Sequence, residues 1–143
     1  MIITRNIFLE SQGRSEIIDI TPQVEHILAS TKLISGSVTV FITGSTAGIT
    51  TIEYEPGLVA DFKQAWERLI PEGIDYKHNA AWGDGNGHSH IRASLLGASL
   101  VVPFSNKALM LGQWQQIVLV DFDNRSRKRE VVVQVAGEEP AKS

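Results

Sequence analysis

Eight short segments rich in β-branched and aromatic residues recur along the chain, and this feature constrains the fold more than any other. Because each is bounded by turn residues and is long enough for a single strand, we expect eight strands, with Ser11-Gln12-Gly13 and Gly44-Ser45-Thr46 closing two hairpins. The segments are residues 2–9, 14–20, 37–43, 48–54, 99–104, 108–111, 115–122 and 129–135.

Helical patterns separate these segments at three places. Thr21-Pro22 is predicted to begin the first helix, with Thr21 as its N-cap, and Ser35-Gly36 to end it. Apolar residues at helical spacing, including Trp66, predict a second helix over 58–69 with Trp66 in the core, and residues 90–97 predict a short third. The order β-β-α-β-β-α-α-β-β-β-β indicates an α+β fold with mainly antiparallel β-sheets and two to three helices.

Length and composition predict one compact domain, because 143 residues with 43% hydrophobic content can bury a core. We expect the domain to span residues 1–137 and a C-terminal tail to span 138–143. The chain has no cysteine, which excludes disulfides and thiolate metal sites and is consistent with a cytoplasmic protein. No segment has the about 20 apolar residues that cross a bilayer, so we expect no membrane partner.

Charge argues against a nucleic-acid partner. The net charge is −3, and the one basic run, residues 125–129, is typical of a solvated turn rather than of a broad positive surface.

The strongest chemical signal is a glycine-rich segment, residues 78–90, which contains three of the four histidines. His78, His88 and His90 are candidate ligands for a divalent metal ion, zinc or magnesium, and Asp84 is a candidate catalytic carboxylate. In a helix His88 and His90 would point about 200° apart, so both can bind one ion only if His88 precedes the helix. The alternative is a hydrogen-bonded loop without a metal. His26 is expected at the surface.

Other polar residues are weaker candidates. Residues 83–87 precede a helix, where free backbone N–H groups can bind phosphate, and Lys107 could add positive charge. Glu53 and Glu55 share one face of a predicted strand, either as a general base or as the polar outer face of the sheet. Ser45 and Thr46 could meet an anion or simply form a turn. Trp114 is predicted to lie in the core, and Gln115 to bond buried backbone.

Five segments together resemble successive blocks of one known family. They are STAGIT at 45–50, HN at 78–79, GDGNGHSH at 83–90, RASLLGASLVVPF at 92–104 and LGQWQQIVLVDFD at 111–123. In this order they resemble the YjbQ family, grouped as secondary thiamine-phosphate synthases, over residues 2–137. The resemblance implies a homotrimer whose site lies near the subunit contact. It also implies an activity that joins a pyrimidine pyrophosphate to a thiazole phosphate and releases pyrophosphate.

The resemblance assigns roles residue by residue. It implies that His78, His88 and His90 bind metal, that Glu53 is an acid or base, and that Asn86, Trp114 and Gln115 contact substrate. The chain departs from the family pattern at Gly44, where many relatives have His, and at Gln113, where many have Thr.

Three functions remain open from the sequence. The preferred one is a metal-assisted enzyme acting on a small phosphorylated substrate, with thiamine-phosphate synthesis as its assayable activity. The alternatives are a metal-dependent phosphate-ester hydrolase and a non-catalytic binding or structural trimer.

Overall fold

The computed structural model describes residues 1–142 and shows eight strands and four helices within them. The α+β class and the antiparallel sheets are confirmed. The strands are β1 (Ile2–Ser11), β2 (Glu16–Asp19), β3 (Ser35–Ile42), β4 (Ala47–Ile52), β5 (Ser99–Ser105), β6 (Ala108–Leu109), β7 (Gln116–Asp121) and β8 (Arg127–Glu138). The helices are α1 (Thr21–Ala29), α2 (Pro56–Leu69), α3 (Lys77–Trp82) and α4 (Gly87–Leu96).

The strands form two sheets with a hydrophobic core between them. The five-stranded sheet has the order β1-β8-β3-β5-β6, and the three-stranded sheet has the order β2-β7-β4. Alternate residues of each inner face point into the core, as the period of a strand requires. The buried core residues include Val38, Val40, Ile49, Ile117, Leu119, Val131, Val133 and Val135, together with Val24 and Leu28 of α1.

The three-stranded sheet is buried on both faces. In β7, Ile117 and Leu119 face the five-stranded sheet, whereas Val118 and Val120 join a second core beneath the helices. Trp66 of α2 lies in this second core, with its ring centroid 4.9 Å from that of Phe122, so its prediction as a core residue is confirmed. Covering both faces explains why β7 is a continuous apolar run rather than an alternating one.

Both predicted hairpins are wrong. β1 pairs with β8 and β2 pairs with β7, so the turn after Ser11 carries the chain from one sheet to the other. The turn at Gly44 does the same, because β3 belongs to the five-stranded sheet and β4 to the three-stranded one. Turn residues indicate that the chain reverses, but they do not reveal which strand becomes the neighbour.

Several helix predictions also need correction. α3 is a fourth helix within the segment predicted as a loop, and its six residues are too few to show an apolar period. Thr21 is the first residue of α1 rather than its N-cap, and its hydroxyl accepts a hydrogen bond from the Ile117 N–H, 2.8 Å away. Ser35 and Gly36 begin β3 instead of ending α1, which stops at Ala29.

Strand β8 includes the first residue of the segment predicted as a C-terminal tail. β8 continues to Glu138, which is paired with Ser35 of β3. Within residues 1–142, no helix is long and apolar enough to cross a bilayer.

Candidate functional site

Helix α4 separates the two histidines of the HSH sequence. It begins at Gly87 with Asn86 as the N-cap, so His88 and His90 both lie inside the helix. Two positions along a helix correspond to about 200°, and the two rings therefore point to opposite sides of α4.

His90 meets His78, which α3 presents from the other side. The ring centroids are 4.3 Å apart with an interplanar angle of 41°. Asn79 fixes the two helices together, because its Oδ1 accepts a hydrogen bond of 2.8 Å from the Gly87 N–H at the start of α4. The unpredicted helix α3 is thus what places His78 beside His90.

We call His78 and His90 the histidine pair. A carboxylate, that of Asp84, lies beside this pair. Asp84 Oδ1 lies 3.5 Å from Nδ1 of His78, and that nitrogen is buried without a hydrogen-bond partner. Burial lowers the pKa of His90, and the neighbouring His78 lowers it further, against the opposing effect of Asp84. His90 is therefore neutral near pH 7, the form that can accept a proton or bind a metal ion.

A cleft of about 260 Å³ opens beside His90. Its wall includes Gly44 at a φ of 126°, and a Cβ there would lie 2.9 Å from Nη1 of Arg129, so position 44 suits glycine in this chain. The side chains lining the cleft are small or polar, which leaves room for a ligand in front of the imidazole. The lining residues are Gly44, Ser45, Ala47, His90, Ala93, Ser94, Gly97 and Ala98.

His88 lies on the other side of α4 and is only 2% exposed. Its Nε2 is 3.3 Å from the Ser89 hydroxyl and 4.0 Å from Glu72 Oε2. Burial lowers the pKa of His88, although Glu72 opposes the shift. The structure therefore does not bring His88 to the histidine pair, and within residues 1–142 no three His, Asp or Glu side chains are arranged to hold one metal ion.

A buried charged network, which the sequence patterns do not predict, lies next to the site. The carboxylates of Asp121 and Asp123, at the end of β7, are fully buried. Arg129 binds Asp121 through two hydrogen bonds, Nε to Oδ2 at 2.7 Å and Nη2 to Oδ1 at 2.8 Å. The basic run is thus not simply a solvated turn. The signal available in the sequence was the Asp-Phe-Asp triplet that ends an apolar strand.

Thr46, a predicted anion contact, and Asn86, a predicted substrate contact, both belong to this network. Thr46 Oγ1 donates to Asp123 Oδ2 at 2.9 Å, and Asn86 Nδ2 donates to the same oxygen at 3.2 Å. Burial alone would raise the pKa of Asp123, but these hydrogen bonds and one from Arg127 outweigh it and hold the pKa below its usual value. Both side chains hold β4 and α4 to the end of β7.

The predicted phosphate-binding loop uses its own amides internally. The Asn86 N–H donates to Asp84 Oδ1 at 3.2 Å, and the Gly87 N–H donates to Asn79. Of the small polar candidates, Ser45 is the one that is exposed and lines the cleft beside His90.

The remaining predicted site residues lie elsewhere in the subunit. Glu53 follows the end of β4, whereas the His90 cleft lies at the start of β4. The two ends of this six-residue strand are roughly 20 Å apart, because a strand rises about 3.3 Å per residue. Glu53 is therefore outside the strand, and Glu55 caps α2 through the N–H groups of Gly57 and Leu58. A separate cleft holds Glu53 and Trp114, and Trp114 is 65% exposed, so its prediction as a core residue is wrong.

Gln115 and Lys107 are also remote from the histidine pair. Gln115 Nε2 donates to Thr51 Oγ1 at 3.1 Å, and its Oε1 accepts from the Gly112 N–H at 3.0 Å. Lys107, in the β5–β6 turn, donates to the Thr31 carbonyl oxygen. His26 is exposed on α1, as predicted.

Comparison with known proteins decides the family. The family model described as UPF0047 protein YjbQ-like matches residues 5–138. The chain belongs to the YjbQ family. Among its curated YjbQ relatives, the UPF0047 protein of Archaeoglobus fulgidus is 40% identical over 124 residues, 87% of this chain and 94% of the relative. That of Methanothermobacter thermautotrophicus is 38% identical over 136 residues, 95% and 93% of the two chains.

Solved structures show the same YjbQ architecture. A YbjQ-like protein of unknown function from Sulfolobus solfataricus superposes with a TM-score of 0.92 at 33% identity, covering 96% of this chain and 99% of that one. A hypothetical protein from Aeropyrum pernix gives 0.89 at 31% identity, covering 95% and 99%. The predicted family and fold are therefore confirmed.

Proposed function

We propose that the histidine pair, Asp84 and the adjoining cleft form an active site for a small phosphorylated substrate, with thiamine-phosphate synthase-like transfer as the reaction to assay. The observation that carries this proposal is the Nδ1 atom of His78, which is buried without a partner beside a carboxylate and a second imidazole. Buried polar atoms are almost always bonded, so an unbonded one beside His90, which lines the cleft, supports a place for a ligand there.

The donor set suits a divalent ion only in part. Two imidazoles with one carboxylate favour zinc over magnesium, which prefers oxygen ligands. His78 and His90 would hold the ion with two imidazoles, whereas neither Asp84 nor His88 completes a three-ligand site within residues 1–142. When bound, such an ion would supply the positive charge that a departing pyrophosphate requires.

The side chains have separate parts in the proposed transfer. A ring nitrogen of one substrate forms a bond to carbon as the carbon–oxygen bond to pyrophosphate breaks, and pyrophosphate leaves with the electron pair. The attacking ring nitrogen carries no hydrogen, so this step releases no proton. His90, neutral because of its lowered pKa, can donate a hydrogen bond from its ring N–H to the departing pyrophosphate, and Asp84 stabilises His78 beside it. The exposed Ser45 can donate a hydrogen bond to a phosphate oxygen.

The test compares His78→Ala and His90→Ala with His26→Ala. We expect thiamine-phosphate formation to fall about 100-fold or more in the first two, since a group that stabilises the departing charge contributes that much. Elemental analysis of protein purified without a histidine tag should show metal lost in the same two variants. His26→Ala is the matched control, because that residue is an exposed histidine on α1. Turnover undiminished in both site variants would reject these roles.

The assay also separates the proposed transferase from a hydrolase. A transferase releases pyrophosphate only when both substrates are present, whereas a hydrolase releases phosphate from one. If metal-loaded protein catalyses neither the transfer nor the hydrolysis, a non-catalytic role is favoured.

We further propose a cytoplasmic homotrimer that binds neither nucleic acid nor membrane. In a homotrimer, Glu53 or Trp114 could approach the histidine pair of another subunit, although they lie apart within one. Light scattering should give about three times the 15.7 kDa chain mass, and a mass near one chain would contradict the trimer.

A further inference from the structure

An exposed tryptophan stands next to the histidine pair. Trp82 is the last residue of α3 and is 76% exposed. It follows His78 by four positions, and residues at this spacing lie on the same face of a helix. The indole and the imidazole of His78 therefore border the same part of the surface.

The position of Trp82 is fixed although its side chain is open to solvent. The Gly83 N–H donates to the Asn79 carbonyl oxygen at 2.7 Å, and Gly83 has a φ of 67°, so the end of the helix is firmly capped. The side chain of Asn79 in turn holds α3 to the start of α4. A Cβ at Gly83 would meet nothing within 4 Å, so the surface at this end of the helix is open.

The chemistry of the surroundings favours a flat ligand. The residues that follow Trp82 are Gly83, Asp84 and Gly85, so no apolar side chain in this loop packs against the indole to form a larger hydrophobic surface. An isolated indole offers a broad π-face on which heteroaromatic rings stack, while polar groups at its side bind the rest of the ligand.

We propose that Trp82 is the surface on which a planar heteroaromatic ring of the substrate stacks, so that the site selects aromatic phosphates over aliphatic ones. This inference rests on the proposed function for the site of the phosphate. Trp82 acts here as a residue that determines specificity rather than as one that takes part in bond formation.

The test measures the binding of thiamine monophosphate and ribose 5-phosphate by calorimetry and by tryptophan fluorescence. We expect Trp82→Ala to weaken thiamine monophosphate binding about tenfold, the usual worth of one ring stacked on an aromatic side chain. Trp82→Phe should retain most of the affinity but lose the saturable quenching of fluorescence. Ribose 5-phosphate should bind all variants equally, since it has no aromatic ring.

Leu69→Ala is the control for loss of an exposed apolar side chain, because Leu69 is 74% exposed at the end of α2. It should leave both affinities unchanged. Quenching that persists in Trp82→Phe would place the ring on another tryptophan and overturn the inference. Equal affinity of the wild-type protein for both probes would overturn it too.

These measurements separate the two proposals because binding needs no turnover. If quenching depends on Trp82 but no reaction occurs, the transferase proposal fails and the ring contact stands. If His90→Ala abolishes turnover while Trp82→Ala binds normally, the stacking inference alone fails.

Discussion

The two sides of α4 present the same residue type in opposite environments. On one side, His90 borders a cleft and lies against His78, which is itself 3.5 Å from Asp84. On the other side, His88 is buried next to Ser89, which bonds the end of β7. The difference teaches that one short motif can place one histidine beside a cleft and bury the other, because residues two positions apart lie on opposite sides of a helix.

Replacing each histidine by alanine should give the largest contrast in stability. We expect His88→Ala to lower the free energy of unfolding by about 3 kcal/mol, because it leaves a cavity in a packed region. His90→Ala should cost under about 1 kcal/mol, since that ring already faces open space. Urea denaturation measures both. Equal losses would show that the two sides of α4 do not differ as described.

The serines of α4 should repeat the contrast at smaller scale. Ser89 is fully buried, and its hydroxyl lies 2.6 Å from the Phe122 carbonyl oxygen, so Ser89→Ala should cost about 1–2 kcal/mol. Ser94 is exposed and bonds only the His90 carbonyl oxygen within the helix. Ser94→Ala should therefore change stability by less than about 0.5 kcal/mol. A larger loss at Ser94 in thermal unfolding would contradict this.

Lowering the pH should produce the smallest change in stability. The change should differ between the wild-type protein and a variant in which a side chain that does not titrate replaces His88. Because burial lowers the pKa of His88 in the folded state, the unfolded chain binds a proton first as the pH falls. The contribution of neutral His88 to the free energy of unfolding is therefore complete above about pH 6.5. It declines as the pH falls from there toward the lowered pKa of the folded state. We expect the stability difference between wild type and His88→Gln to shrink between pH 7.5 and 5.5. A difference that stays constant or grows would show that His88 is not held neutral.

Much of the fold followed from local patterns. Strands rich in β-branched residues, the helix containing Trp66 and the order of most elements depend on nearby residues, and these were predicted. The helical geometry of His88 and His90 also predicted that they would separate if α4 included both. Since α4 begins at Gly87, that condition holds.

What the sequence did not reveal depends on distant contacts. The partners of β1 and β3 lie far along the chain, so short turns gave the wrong pairing. The burial of Arg129 depends on Asp121 of another strand in another sheet, and a run of basic residues gives no sign of that partner. Helix α3 is stabilised by Asn79 and its contact with α4 rather than by an apolar period of its own.

The pairing of the two ends of the chain has a consequence for biosynthesis. β8 lies between β1 and β3, so the first strand can join its sheet only through the last. Until the ribosome has released the residues up to Glu138, β1 has no neighbour and its apolar inner face stays uncovered. Sequence-distant strand pairs of this kind form slowly. This sheet can therefore be completed only after β8 has left the ribosome, and until then β1 is a strand with an uncovered apolar face.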